Sequence, residues 1–132
     1  GQALVAISLQ RNIGVDIEKI RTDVEYEKLA SRFFSEAEHK QLMQLPQDER
    51  ARSFFAIWTR KEAFVKAIGK GIAFGLSEFD VNVEPQEPPL MLVTRWNPQD
   101  VSSWLMATID SDPDYMATLA TDGGDFQLRC WQ

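Results

Sequence analysis

Ile13-Gly14-Val15-Asp16-Ile17-Glu18, answered later by Trp58-Thr59-Arg60-Lys61-Glu62-Ala63-Phe64-Val65-Lys66, decides how this chain is organised. In the first stretch apolar and other residues alternate, as in a half-buried strand. Ile13, Val15 and Ile17 then point one way, while Asp16 and Glu18 share the other, open face. In the second stretch Trp58, Glu62 and Lys66 sit four apart, which stacks them along one stripe of a helix. A stripe of that kind crossing the acidic face of the strand makes a cation site.

Clustered carboxylates repel and raise one another's pKa, so such a group is favourable only with a cation beside it. All-oxygen ligands suit a hard ion, and Mg2+ takes a few carboxylates and fills its octahedron with water and substrate phosphate. Lys66, one turn beyond Glu62, is then placed to meet that phosphate. Each motif also has a plainer reading. D-x-E on a strand is common as a solvated face, and K-E-x-x-x-K on a helix is commonly an exposed ion pair worth about 0.3–0.5 kcal/mol. The pairing of the two motifs in one chain favours the metal.

Working outward, alternation predicts strands at 3–9 and 12–20, and helical spacing predicts helices at 24–33, 36–45 and 48–68. Pro46 breaks the second helix from the third. Alternation returns in Phe79 to Val83, Leu90 to Trp96, Trp104 to Ile109, Tyr115 to Thr121 and Phe126 to Trp131, with Pro and Gly marking the turns between. Strands, grouped helices, then strands indicate one α+β domain over residues 1–132, an antiparallel sheet packed against helices. Gly69-Lys70-Gly71 is too short for a P-loop and reads as the cap of the long helix, with Gly supplying a positive φ. Phe54, Phe55 and Ile57 read as core or groove lining.

Taken in order, Gly14 to Glu18, then Phe33-Phe34-Ser35-Glu36-Ala37-Glu38, then Trp58 to Gly71 resemble the 4'-phosphopantetheinyl transferases, closely from Ile13 to Val83. The resemblance is to the surfactin-type branch, whose members are two tandem related halves, and to the second half of such a chain. The small trimeric holo-acyl-carrier-protein synthases share the K-E-A helix, but their strand motif usually inserts a residue where Asp16-Ile17-Glu18 has none.

The resemblance implies the roles. Asp16, Glu18 and Glu62 match the magnesium ligands, with manganese as the alternative ion, and Lys66 matches the lysine beside the transferred phosphate. Trp58 and Lys61 match substrate-binding positions near the same site. Glu38 matches a proposed general base, although Ser35-Glu36-Ala37-Glu38 is also a capping-box pattern that needs no catalytic role. The implied reaction moves phosphopantetheine from coenzyme A to a serine of an acyl or peptidyl carrier protein and releases adenosine 3',5'-bisphosphate. The Ser-His pair and basic residues of the branch's upstream half are missing from these residues. A binding module with an incomplete active site is therefore the alternative, completed by self-association or by an N-terminal half.

Composition narrows the remaining classes. At 132 residues, 44% hydrophobic and 26% charged, the chain can bury one core. A net charge of −6 argues against nucleic acid, whose backbone demands a concentrated positive surface. No run approaches the ~18 apolar residues of a bilayer span, and the start lacks the regions of a signal peptide, so no membrane partner and a cytoplasmic setting are expected. An acidic carrier protein requires a local basic or apolar patch, for which Arg32, Lys40, Arg50, Arg52, Arg60, Lys61 and Lys70 are the candidates beside an ordinary solvated role. Cys130 is alone, which excludes an internal disulfide and a zinc thiolate set and leaves it a packing residue. His39 has no G-x-S-x-G beside it, which excludes a serine hydrolase of that type.

Overall fold

The computed structural model describes residues 1–70 and 75–131. Strand β1 (Ile13–Lys19) is followed by helices α1 (Tyr26–Phe33), α2 (Glu36–Gln44) and α3 (Gln47–Ile68), then by strands β2 (Phe79–Val81), β3 (Met91–Thr94), β4 (Trp104–Thr108) and β5 (Tyr115–Asp122). Short 3-10 turns at Leu76–Glu78 and Pro98–Ser103 lead into β2 and β4. The pairing is antiparallel throughout, in a three-stranded sheet of order β1-β5-β4 and a two-stranded sheet of β2 with β3. This is the expected α+β arrangement.

The local chemistry accounts for the helix limits. Ser35 caps α2 by accepting from the Glu38 N–H, and the Glu38 carboxylate accepts from the Ser35 N–H, so the predicted capping box is formed. Pro46 precedes α3, whose first turn carries Asp48 and Glu49, favourable beside the exposed N–H groups of a helix start. Gly69 ends the helix at φ 71°, a left-handed conformation that glycine adopts without a steric cost. Gly71 of the Gly69-Lys70-Gly71 segment lies outside the described residues.

Helix α3 lies across β1 and β5, and the core fills the space between helices and sheets. Phe54, Phe55 and Ile57 are buried there as expected, with Phe64, Phe79 and Ala120. The crossing is tight because of Gly14. A Cβ at that position would stand 2.1 Å from the Ala63 carbonyl oxygen and 2.4 Å from the Ala67 nitrogen, so only glycine lets the strand backbone meet the helix backbone.

That contact also corrects the expected orientation of β1. The face shared by Gly14, Asp16 and Glu18 is turned toward α3 and is not open; Gly14 and Asp16 are buried. Ile13, Val15 and Ile17 lie on the other face, half-buried in a second cluster with Ile109, Ala117 and Leu119. In a thin sheet whose glycine admits a helix on one side, alternation gives two faces without saying which is inner.

The strands predicted at 3–9 and 126–131 are corrected too, since neither segment is paired in a sheet. Leu4, Ala6 and Phe126 instead pack over the second cluster, while Val5, Ile7 and Leu9 are each 89% exposed. Alternating apolar residues find a surface to cover without a ladder, so the pattern alone does not give backbone pairing. Arg11, just after the first segment, donates to the carbonyls of Asp122 (3.0 Å), Gly124 (2.7 Å) and Asp125 (2.6 Å), just before the second. Cys130, expected to pack, is exposed. Among the described residues no helix is long and apolar enough to cross a membrane.

Candidate functional site

Strand β1 and helix α3 bring Asp16, Glu18, Glu62, Lys66 and Trp58 together. In the strand register Asp16 lies opposite Thr118 and Glu18 opposite Met116. Thr118 is itself fixed to the helix, its hydroxyl 3.1 Å from that of Thr59 in the buried interface. The strand acids are thus set against the Trp58, Glu62, Lys66 stripe by packing on both sides.

The polar accounting at this face does not close. Lys66 Nζ donates to Asp16 Oδ1 at 2.7 Å, but Asp16 Oδ2 and Glu62 Oε1 are buried without a hydrogen-bond partner. Asp16 is 5% exposed and Glu62 8%. An unsatisfied buried carboxylate oxygen is costly, more so than a neutral group. Burial pushes all three carboxyls above their ordinary range. For Asp16 it outweighs the bond and charge of Lys66 and a side-chain bond with Glu18, and for Glu18 and Glu62 the neighbouring Asp16 charge adds to it. Lys66, and for Glu18 also the Trp58 side chain, work in the opposite direction. Trp58 is held by Phe54, stacked at 5.9 Å, and by Phe33, edge-on at 6.0 Å.

These features fit a hard divalent cation. The donors are oxygens, they come from three carboxylates, and two of the oxygens lack any other partner. Among the described residues no three His, Cys, Asp or Glu side chains are grouped closely enough to hold a metal ion as they stand; Asp16 is bonded to Lys66 instead.

Glu38 and Lys61 are not at this face. They are bonded to each other on another side of α3, with Lys61 Nζ 2.8 Å from Glu38 Oε1. Glu38 is 1% exposed and Lys61 0%. Glu38 Oε1 also accepts from the Ser35 N–H at 2.9 Å and Oε2 from the Val81 N–H at 2.7 Å. Lys61 donates to the carbonyls of Leu76 and Phe79 and lies over the Phe79 ring. Burial pushes the Glu38 carboxyl up and the Lys61 ammonium down, each partly offset by its partner.

Sequence reasoning missed the extension of this cluster to Asp80 and Arg95. The Arg95 guanidinium forks onto the Asp80 carboxylate with bonds of 2.9 and 3.1 Å. Burial alone would raise the Asp80 carboxyl, but hydrogen bonds from Arg95 and Ser35 and the charges of Arg95 and Lys61 hold it below the ordinary range. Asp80 sits inside an alternating run that reads only as strand, so no local signal marks it.

The expected basic patch also shrinks. Arg60 and Lys61 are buried. Arg60 donates to the carbonyls of Asn82, Glu84 and Glu87, and burial takes its guanidinium down to about 10. Arg50 is bonded to Glu27 and to two carbonyls, whereas Arg32 and Lys40 remain exposed. A cleft of about 1410 Å3 lies on the far face of the sheet from the acidic site, between Ile13, Val15 and Ile17 and the two terminal segments.

Comparison with known proteins gives the family and the fold. The family model described as the 4'-phosphopantetheinyl transferase superfamily matches residues 12–120, which include both motifs. The chain is 35% identical over 129 residues to the 4'-phosphopantetheinyl transferase HetI of Nostoc sp., covering 98% of this chain and 51% of that protein. It is 32% identical over 114 residues to the 4'-phosphopantetheinyl transferase Sfp of Bacillus subtilis, covering 86% and 48%. The chain therefore spans about half the length of these relatives. Its fold is similar to that of the Thermotoga maritima holo-[acyl-carrier-protein] synthase, with a TM-score of 0.63 at 19% identity over 84% of this chain and 62% of that one. The Helicobacter pylori holo-[acyl-carrier-protein] synthase, solved in complex with coenzyme A, has a TM-score of 0.56 at 22% identity over 82% and 96%. With the family match covering most of its length, the chain belongs to the 4'-phosphopantetheinyl transferase superfamily.

Proposed function

We propose that residues 1–132 form one metal-bearing transferase unit, the second half of a surfactin-type enzyme. In this reading the enzyme moves phosphopantetheine from coenzyme A to a carrier-protein serine, releasing adenosine 3',5'-bisphosphate, in the cytoplasm. The observation that carries the reading is the pair of unpartnered oxygens on Asp16 and Glu62, set against Lys66 inside the matched region. Asp16, Glu18 and Glu62 would hold the ion. Mg2+, or Mn2+, when bound supplies neutralisation of the pyrophosphate and polarisation of the phosphorus.

The chain's own residues do the rest. Lys66, with a side chain 52% exposed, can reach an incoming phosphate and stabilise the departing oxygen. Trp58 keeps the Glu18 carboxylate oriented and walls one side of the face. Glu38 would have to give up Lys61 and the Val81 N–H before taking a proton from serine, and Lys61 would have to leave the core to touch coenzyme A. Their geometry favours holding β2 and α2 in place.

The second reading is a half-enzyme that binds metal, pantetheine or carrier protein and needs another unit for turnover. It is favoured by the relatives' double length and by Val5, Ile7 and Leu9, whose exposed side chains border the large cleft. A unit like the relatives' other half, or a second copy of this chain, would cover that surface.

Incubation with MgCl2, coenzyme A and an apo carrier protein, read by intact-mass spectrometry, tests both readings. Modification of the carrier that a chelator abolishes supports the complete transferase; activity that appears only when the relatives' first half is added supports the half-enzyme. In the active form Glu62→Gln should lower transfer by at least about 100-fold, as loss of one group stabilising transition-state charge does. Unchanged turnover would remove Glu62 from the site.

A further inference from the structure

Lys66 stands on the oxygen set that a divalent cation needs. Its Nζ donates to Asp16 Oδ1 at 2.7 Å, while the other oxygen of that carboxylate and one of Glu62 are buried and unpartnered. Asp16 is 5% exposed but the Lys66 side chain is 52% exposed, so the ammonium group can move away through solvent without opening the core. Three carboxylates against one ammonium leave two negative charges over, which is the charge of one divalent ion. An ion and an ammonium group on the same carboxylate repel each other, so binding of the ion weakens the hold on the lysine and the lysine weakens the hold on the ion.

We infer that Lys66 is the resident counter-ion of this face and yields Asp16 when a divalent cation binds, so that cation binding and release of the lysine toward an incoming phosphate are one linked event. The inference rests on the metal reading given above. It makes the lysine a sensor of the loaded site. Without the ion, Lys66 is bonded to Asp16 and is a poor phosphate ligand. With it, the ammonium is free to swing. Because coupling between two ligands is reciprocal, a phosphate-bearing ligand that takes up the freed lysine must in turn tighten cation binding.

The test uses Mg2+ alone as the probe, titrated calorimetrically into the wild-type protein and into Lys66→Met, with circular dichroism to check folding. Removing the competitor should tighten Mg2+ binding by about fivefold or more, the lower range of coupling between linked sites. A second measurement needs no substitution. Acetylation of Lys66 by an amine-reactive ester, followed by peptide mass spectrometry on the wild-type protein, should speed up when Mg2+ saturates the site. Mg2+ binding that is equal or weaker in folded Lys66→Met, or an acetylation rate indifferent to Mg2+ that does bind, overturns the inference and leaves the metal reading standing. Absence of Mg2+ binding in both proteins overturns the two together.

Discussion

Helix α3 carries two lysine–carboxylate pairs, and they are built in opposite ways. Lys61 and Glu38 are enclosed, and each finds further partners in the backbone of Ser35, Leu76, Phe79 and Val81. Lys66 and Asp16 share one bond, with a half-exposed lysine at one end and an unpartnered carboxylate oxygen at the other. A buried polar group that is fully satisfied fixes the chain around it, whereas one left unsatisfied keeps its capacity for a ligand. The difference separates two pairs that look alike in sequence, one tied to the backbone on several sides and the other left with a carboxylate oxygen unpartnered.

The largest effect should come from breaking the closed pair. Glu38→Ala leaves an ammonium buried without its counter-charge and is expected to cost about 3–5 kcal/mol in denaturant unfolding. Adding Lys61→Met should recover part of that loss by removing the stranded charge. A cost near zero for Glu38→Ala would mean that the pair holds nothing. Gly14→Ala comes next, at about 1–3 kcal/mol or somewhat more, because its Cβ meets backbone atoms that can only move with the whole strand–helix crossing. An unchanged melting temperature would show that β1 sits farther from α3 than described.

A smaller effect attaches to the fork of Arg95 on Asp80. The Asp80 carboxyl is held below its ordinary range in the folded state. Its contribution is therefore complete above the unfolded carboxyl's pKa and is lost as pH falls through the lower folded value. Asp80→Asn should cost about 1 kcal/mol at neutral pH, and the gap from wild type should close below about pH 4. A gap that is constant with pH would point to packing in place of charge. The smallest effect sharpens the contrast with Glu38. Glu62→Gln removes a charge that has no hydrogen-bond partner on one oxygen, and should leave unfolding stability in the absence of metal unchanged or slightly raised.

Much of this was legible in the sequence, for physical reasons that also set the limits. Four-residue spacing is rigid on a helix, so the Trp58, Glu62, Lys66 stripe followed directly, as did the Ser35 cap and the Gly69 stop. Alternation in β1 separated the acids from the isoleucines, but which face turned inward depended on Gly14 meeting Ala63 and Ala67, a contact between residues far apart in the chain. The alternating residues at 3–9 and 126–131 showed apolar faces without a ladder partner, since pairing depends on which sheet edge is within reach. Lys61, expected at the substrate and in the basic patch, lies one residue off the stripe and is sent inside to Glu38 by the turn of the helix; only the tertiary fold brings Asp80 and Arg95 to the same cluster.

A cation site on Asp16, Glu18 and Glu62 would link folding stability to the metal. Its most direct test is thermal unfolding against MgCl2 concentration for the wild-type protein and for the double variant Asp16→Asn, Glu62→Gln. Wild-type stability should climb with the ion as a ligand bound only by the folded state requires, by about 2.7 kcal/mol at a hundred times Kd, while the double variant stays flat. A wild-type midpoint indifferent to Mg2+, or a double variant that climbs equally, would contradict it.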